Sequence, residues 1–235
     1  MRLHLWQFSP RHCEVIQDTG VREVVKVGIQ RAGDCAFTRR GPIRLYLELM
    51  FMFGSEFGTD PQHAWAAQAL DPSLADDEMF RAQLLFEAAQ YYLARVSGPN
   101  HRYAAESLRQ TRRAIDKSPA SLDMGPDDLA PALKSALRSV YPEKADYLGE
   151  QGLCTIIKLG FETAATHLVH SARAMAFFVF LVFALGHGVT DDPLYPWVRS
   201  ALRNALISDP HDRAARLEAR ATVYLDRVIA YVKDM

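Results

Sequence analysis

Three histidines and two aspartates in the second half of the chain have the residue types of a metal site. His167 and His170 stand three apart, a spacing that puts two imidazoles on one helix face, and His187, Asp191 and Asp192 follow in a loop. No H-E-x-x-H or E-x-x-H pattern accompanies them. A second candidate is Glu48, inside the apolar run LYLELMFMF with Arg44 one turn earlier. Such a carboxylate either has a raised pKa and serves as a general acid, or forms an i,i+4 ion pair at a helix edge. The ion pair is the simpler reading. A third candidate is basic: Arg102, Arg109, Arg112, Arg113 and Lys117 share one segment, with Arg39 and Arg40 elsewhere. Glu106 and Asp116 interrupt that run, and the formal net charge is −1, so a solvated helix face fits better than a phosphate track. There is no G-x-S-x-G, no G-x-G-x-x-G and no Walker pattern.

The elements that position these residues come into view when residue n is laid against residue n + 132. Lys26–Ala32, KVGIQRA, meets KLGFETA, and FMFGSEFGTDPQHAWAAQAL meets FALGHGVTDDPLYPWVRSAL without a gap. Over Lys26–Val96, 21 of 71 positions coincide. Upstream, Leu5 meets Leu137, Pro10 meets Pro142 and Gly20 meets Gly152. The expected organisation is two copies of one unit, 1–97 and 134–235, joined by a partly helical linker, 98–133. The period is too long for a solenoid. Most of the candidate ligands are not shared between copies. His167, His170, His187, Asp191 and Asp192 face Cys35, Thr38, Ser55, Thr59 and Asp60, and Glu48 faces Phe180.

Each unit reads as helical, which predicts an all-α fold of two tandem units in a pseudo-symmetric bundle. Leu84, Leu85, Ala88, Ala89, Tyr92 and Val96 recur at three and four, as do Leu217, Ala221, Tyr224, Leu225 and Val228. A helix is expected over 42–53, opened by Pro42 and closed by Gly54, with Gly186 closing its counterpart. Asp60–Pro61 and Asp192–Pro193 carry the pattern of a helix start, with Asp as N-cap and Pro at the first position. Trp65 and Trp197 then fall one turn in, facing the preceding helix. Gly54, Asp60, Pro61, Gly186, Asp192 and Pro193 are thus expected as structural caps. SPASLDMGPDDLAP, 118–131, is the expected flexible stretch.

Hydrophobic residues make up 49% and charged residues 23%, the composition of a folded chain. Cys13, Cys35 and Cys154 are too few and too scattered for a disulfide framework or structural zinc site, and are expected as buried small hydrophobes in a reducing compartment. Ala174–Thr190 lacks charge, but its apolar part is too short to span a membrane, so a buried helix is expected. MRLHLWQFSPRHCEV lacks the apolar core of a secretory signal, which makes the cytoplasm the expected location.

The run TRRGPIRLYLELMFMFGSEFGTDPQHAWAAQAL resembles a pattern in uncharacterised bacterial helical proteins associated with type VI secretion and polymorphic-toxin loci. There an apolar L-M-F helix, a glycine, an aspartate-proline and a P-W-A helix follow one another. The resemblance covers 38–70, with an echo at 170–202. His63–Ala64 departs from the proline before tryptophan that Pro196–Trp197 keeps. It implies a non-enzymatic role, as an immunity protein against a toxin or an adaptor for an effector, and assigns no functional residue. The expected function is therefore binding of another protein through loops 54–60 and 186–192, with Ser55, Glu56, Trp65, His187, Asp191, Tyr195, Trp197 and Arg199 as candidate contacts. No catalytic residue, cofactor or metal is assigned, and oligomeric state stays open. The alternative is a metal-dependent enzyme or metal-binding protein using His167, His170 and His187 with the neighbouring Asp191 and Asp192.

Overall fold

The computed structural model describes residues 1–117, 126–204 and 206–233. Its α-helices are α1 (Arg2–Phe8), α2 (Pro10–Asp34), α3 (Arg40–Phe53), α4 (Ala64–Leu70), α5 (Glu78–Val96), α6 (Arg102–Lys117), α7 (Pro126–Val140), α8 (Pro142–Thr166), α9 (Ala172–Leu185), α10 (Pro196–Leu202) and α11 (Pro210–Lys233). Among the described residues there is no strand, and the fold is all-α. No helix there is long and apolar enough to cross a membrane. The uncharged run at 174–190 supplies α9, which buries Phe177, Phe178, Val179, Val182 and Phe183 and ends after 14 residues.

The offset of 132 residues recurs in the element boundaries. It carries α2 onto α8, α3 onto α9 and α4 onto α10 at both ends, and Glu78, where α5 starts, onto Pro210, where α11 starts. It also recurs where the backbone departs from a helix. Gln17 (φ 61°) and Gly149 (φ 65°) kink α2 and α8, and Ala36 (φ 55°) and Leu168 (φ 60°) follow their ends. Gly54 (φ 94°) and Gly186 (φ 100°) stop α3 and α9. Their ψ angles of 156° and 160° are extended, so these glycines turn the chain without the compact left-handed cap that the sequence suggested.

Contacts divide the chain into two compact units, and not at the sequence-related segments. Unit 1 is Met1–Tyr91 with Gly188–Pro196, and unit 2 is Tyr92–His187 with Trp197–Met235. In unit 1, α2 and α3 approach closely because Gly28 has no side chain; a Cβ there would lie 2.3 Å from Leu47 Cδ2. Glu78, the first residue of α5, reaches back to the start of α3 and accepts the N–H groups of Thr38 (2.5 Å) and Arg39 (3.1 Å). These are donors that a helix N-terminus leaves without internal partners. Arg81, 1% exposed, sits over the Phe37 ring and donates to the carbonyls of Cys35, Ala36 and Ala75. A buried cation is tolerable when its N–H groups are matched in this way.

In unit 2, α8 and α9 meet where Gly160 faces the backbone of Val179, and α7 closes the core with Leu129, Leu133 and Leu137. Helix α6 packs on α11, where Arg112 donates to Asp226 at 2.8 Å. Of the stretch expected to be flexible, 118–125 lies outside the described residues, and from Pro126 onward it is α7. Cysteine burial is graded: Cys13 is buried, Cys35 half-buried and Cys154 exposed, which corrects the expectation that all three fill the interior.

Candidate functional site

After Gly54 the chain folds into a tight corner, with Phe57 donating to Gly54 O and Asp60 to Glu56 O. The Asp60 carboxylate accepts the Gln62 N–H at 2.9 Å and so caps a single 3-10 turn, Pro61–His63; α4 begins only at Ala64. The corresponding Asp192 accepts the Leu194 N–H at 2.8 Å within a turn, before α10 opens at Pro196. Both aspartates cap as predicted, but each caps a turn rather than an α-helix.

Within unit 1 the segment Gly188–Pro196 locks onto this corner. The second oxygen of Asp192 accepts the Ser55 N–H at 2.7 Å, and both residues are buried. Arg31 donates to the Ser55 carbonyl and to the Glu56 carboxylate. Gly188 lies so close that a Cβ would stand 2.3 Å from Glu56 Cγ. Tyr195 meets the His12 ring edge-on at 5.8 Å, and His12 meets Phe51 at 5.9 Å. Burial raises the Asp192 pKa despite its two N–H donors. Burial also pushes His12 down to about 4, leaving a neutral imidazole between two rings.

Ser55 and Tyr195 are buried, and Glu56, partly exposed, pairs with Arg31. Trp65 packs on Phe53 at 5.5 Å, the preceding helix as expected, whereas Trp197 stacks on Tyr224 of α11 at 5.3 Å. Asp191 is exposed, and His187 and Arg199 are half-buried. Ser55, Glu56, Trp65, Asp191 and Tyr195 belong to unit 1, and His187, Trp197 and Arg199 to unit 2.

The chelate geometry expected of His167 and His170 is not formed. Helix α8 stops at Thr166, His167 is its C-cap and stacks on Phe178 at 5.8 Å, and Leu168 turns the backbone before the exposed His170. Among the described residues no three His, Cys, Asp or Glu side chains gather as a metal would require. Glu48 forms the i,i+4 pair with Arg44 (2.9 Å) and also meets His4 Nε2 at 2.6 Å. On α6, Glu106 lies beside Arg109 and Arg113, while Arg112 reaches Asp226. The side chains of Asp116 and Lys117 lie outside the described residues. A cavity of about 40 Å³ under α6, lined by Ile115, Phe177, Phe180 and the Arg173–Glu218 pair, has room for water and not for a metabolite.

Sequence reasoning missed the outer surface of α5. Met79, Phe80, Phe86 and Tyr91 are 45%, 51%, 45% and 58% exposed. Met79 and Phe86 form one helical strip and Phe80 and Tyr91 another, on either side of Gln83, Glu87 and Gln90. The signal was present in the 132-residue alignment, where these four face His211, Asp212, Glu218 and Val223.

No protein-family model, no curated protein and no solved structure matches this chain.

Proposed function

We propose that this chain acts by binding another protein, a secreted bacterial toxin or effector that it neutralises or, as an adaptor, delivers, and that it is not a catalyst. The observation that carries the reading is the outer surface of α5 in unit 1. Four large apolar side chains stand exposed on one helix, at positions whose counterparts on α11 are mostly polar. Exposed aromatic residues on a rigid helix are the material of interface hot spots. The interlocked corner fits a scaffolding role, since its carboxylates are occupied with backbone N–H groups. The shared register of helix boundaries and kinks supports an origin by tandem copying, after which one copy acquired a binding surface. The resemblance at 38–70 to helical proteins of secretion and toxin loci supports the choice of partner.

The test is co-expression with the product of the adjacent gene. A stable complex on size exclusion, together with rescue of growth when that product is toxic, is the expected result. Separate elution, or an adjacent gene of ordinary metabolism, overturns the reading.

A further inference from the structure

The formal charge of −1 is divided unequally between the units. Unit 1 holds 9 basic and 14 acidic residues, whereas unit 2 holds 18 basic and 14 acidic ones. In unit 2 the excess collects on α11 and on what leads into it. Residues 197–208 contribute Arg199 and Arg203 and no acidic residue, and α11 contributes Arg213, Arg216, Arg220 and Arg227.

These four arginines stand at i, i+3, i+7 and i+14, a spacing that sets them on one flank of α11. Glu218 and Asp226 lie on the other flank, where Arg173 of α9 and Arg112 of α6 take them up. Asp209 and Asp212 border the start of the stripe, and Asp209 spends one oxygen on the His211 N–H. Counting both, the flank keeps two net positive charges, and from Arg216 onward it carries no carboxylate.

Among the described residues none of the four arginines pairs with a carboxylate. Arg213 and Arg220, half-buried, commit only Nη1, the first to the carbonyls of Ile207 and Ser208, the second to the Trp197 carbonyl and Ser200 Oγ. These neutral acceptors fix the direction of each guanidinium without cancelling its charge, and Nε and Nη2 stay open to solvent. Arg216 and Arg227 are exposed. In unit 1, by contrast, the exposed Arg2, Arg11, Arg22, Arg39 and Arg44 each lie beside a carboxylate.

From Arg213 to Arg227 the stripe runs about 21 Å, the length of about six phosphates along one strand of a duplex. A protein partner would draw its affinity from buried aromatic and apolar anchors. The large apolar side chains exposed along α11 are Val223, within the stripe, and Tyr231 beyond its end. A phosphate backbone needs no such anchor, because guanidinium charge and its N–H groups suffice to hold it.

We infer that this flank of α11 binds the phosphate backbone of a nucleic acid without reading its base sequence. The inference concerns another helix in another unit and does not rest on the partner-binding reading.

The full chain is titrated into two fluorescein-labelled 20-base-pair DNA duplexes of unrelated sequence, and anisotropy is followed over a series of salt concentrations. Both duplexes are expected to bind equally, with log K falling against log salt at a slope of about −3 to −4, as four phosphate contacts give. Arg216→Glu with Arg227→Glu is expected to weaken binding at least tenfold and to reduce the slope by about two. Arg216→Gln with Arg227→Gln should do the same more mildly. Lys26→Glu with Arg40→Glu makes the same charge change at exposed positions of unit 1 and should alter neither quantity. Unchanged circular dichroism and thermal midpoints verify the fold of each variant. An RNA duplex of the same length, run alongside, separates the two sources of phosphate, and tighter binding of either supports the inference. Absence of binding at low salt, or equal loss from the two pairs of Glu substitutions, overturns it. Competition by polyglutamate as effective as by unlabelled duplex of the same charge overturns it too, and would mark the flank as a dock for acidic protein.

Discussion

The α9–α11 edge of unit 2 and the α3–α5 edge of unit 1 share both ends of α3 and α9 and the start of α5 and α11, and differ in what they carry. The first closes with an ion pair, Arg173–Glu218, and a covering helix. The second places a glycine and a phenylalanine at those positions and leaves the phenylalanine 45% exposed. One backbone register therefore carries either an ion pair or an exposed apolar ring at these positions. The choice lies in a few side chains that the helices do not need for their own folding.

The contrast is most strongly tested by removing the arginine ties near the starts of α5 and α11. Arg81→Ala should cost about 4 kcal/mol, since it removes the donor to three part-buried carbonyls and a buried cation from over Phe37. Arg213→Ala, half-buried and bonded to the carbonyls of Ile207 and Ser208, should cost about 1 kcal/mol. Urea unfolding measures both, and equal losses would mean that the two guanidinium groups do the same work.

Acid separates the units next. The His12 pKa is lowered to about 4 by burial, so the folded chain holds the neutral ring while the unfolded chain takes up a proton near the ordinary value of 6.5. The stabilisation is complete above that value and is lost as the pH falls through 6.5 toward 4, by about 3 kcal/mol in all. His12→Phe should flatten this slope in a pH series of unfolding midpoints. The counterpart Lys144 instead has an acceptor, the Phe183 carbonyl at 2.5 Å, beside the Phe183 ring. An unchanged slope in the His12 variant would place the acid sensitivity elsewhere.

Comparable or smaller effects follow at the glycine crossings. A Cβ on Gly160 would stand 2.6 Å from Val179 Cα, and backbone cannot step aside, so Gly160→Ala should cost about 3 kcal/mol. At Gly28 the obstacles are the ends of Leu47 and Met50, which can turn away, and Gly28→Ala should cost about 1 kcal/mol. Thermal midpoints of the two variants decide whether the crossings are equally tight.

Exchange of the edge residues gives the smallest shift. Glu218→Phe should cost about 1 kcal/mol by leaving Arg173 half-buried without its carboxylate. Phe86→Glu should stay within about 0.5 kcal/mol, because its ring is exposed. A large loss from Phe86→Glu would show that the ring holds the fold and is not kept for a partner.

Much of this architecture is readable locally. The stops at Gly54 and Gly186 follow from rules that act within one turn of helix, and the structure keeps both, whereas the start expected at Pro42 falls two residues earlier, at Arg40. The kink at Gly149 has a glycine to signal it, but Gln17 has none, since a positive φ at glutamine is imposed by its surroundings. The pairing of Ser55 with Asp192 spans 137 positions, and no local pattern announces a carboxylate that serves so distant an N–H. Hence the corner residues were legible as caps, and their burial was not. The α5 surface was hidden for the opposite reason. Its inward stripe satisfies the helical period, and the period says nothing of what faces outward.

Assignment of Gly188–Pro196 to the unit of the N-terminal helices also orders events at the ribosome. Helices α1 to α5 are synthesised early, yet the N–H of Ser55 waits for the carboxylate of Asp192 until α9 has emerged. The first-made half therefore gains this buried hydrogen bond only late in translation.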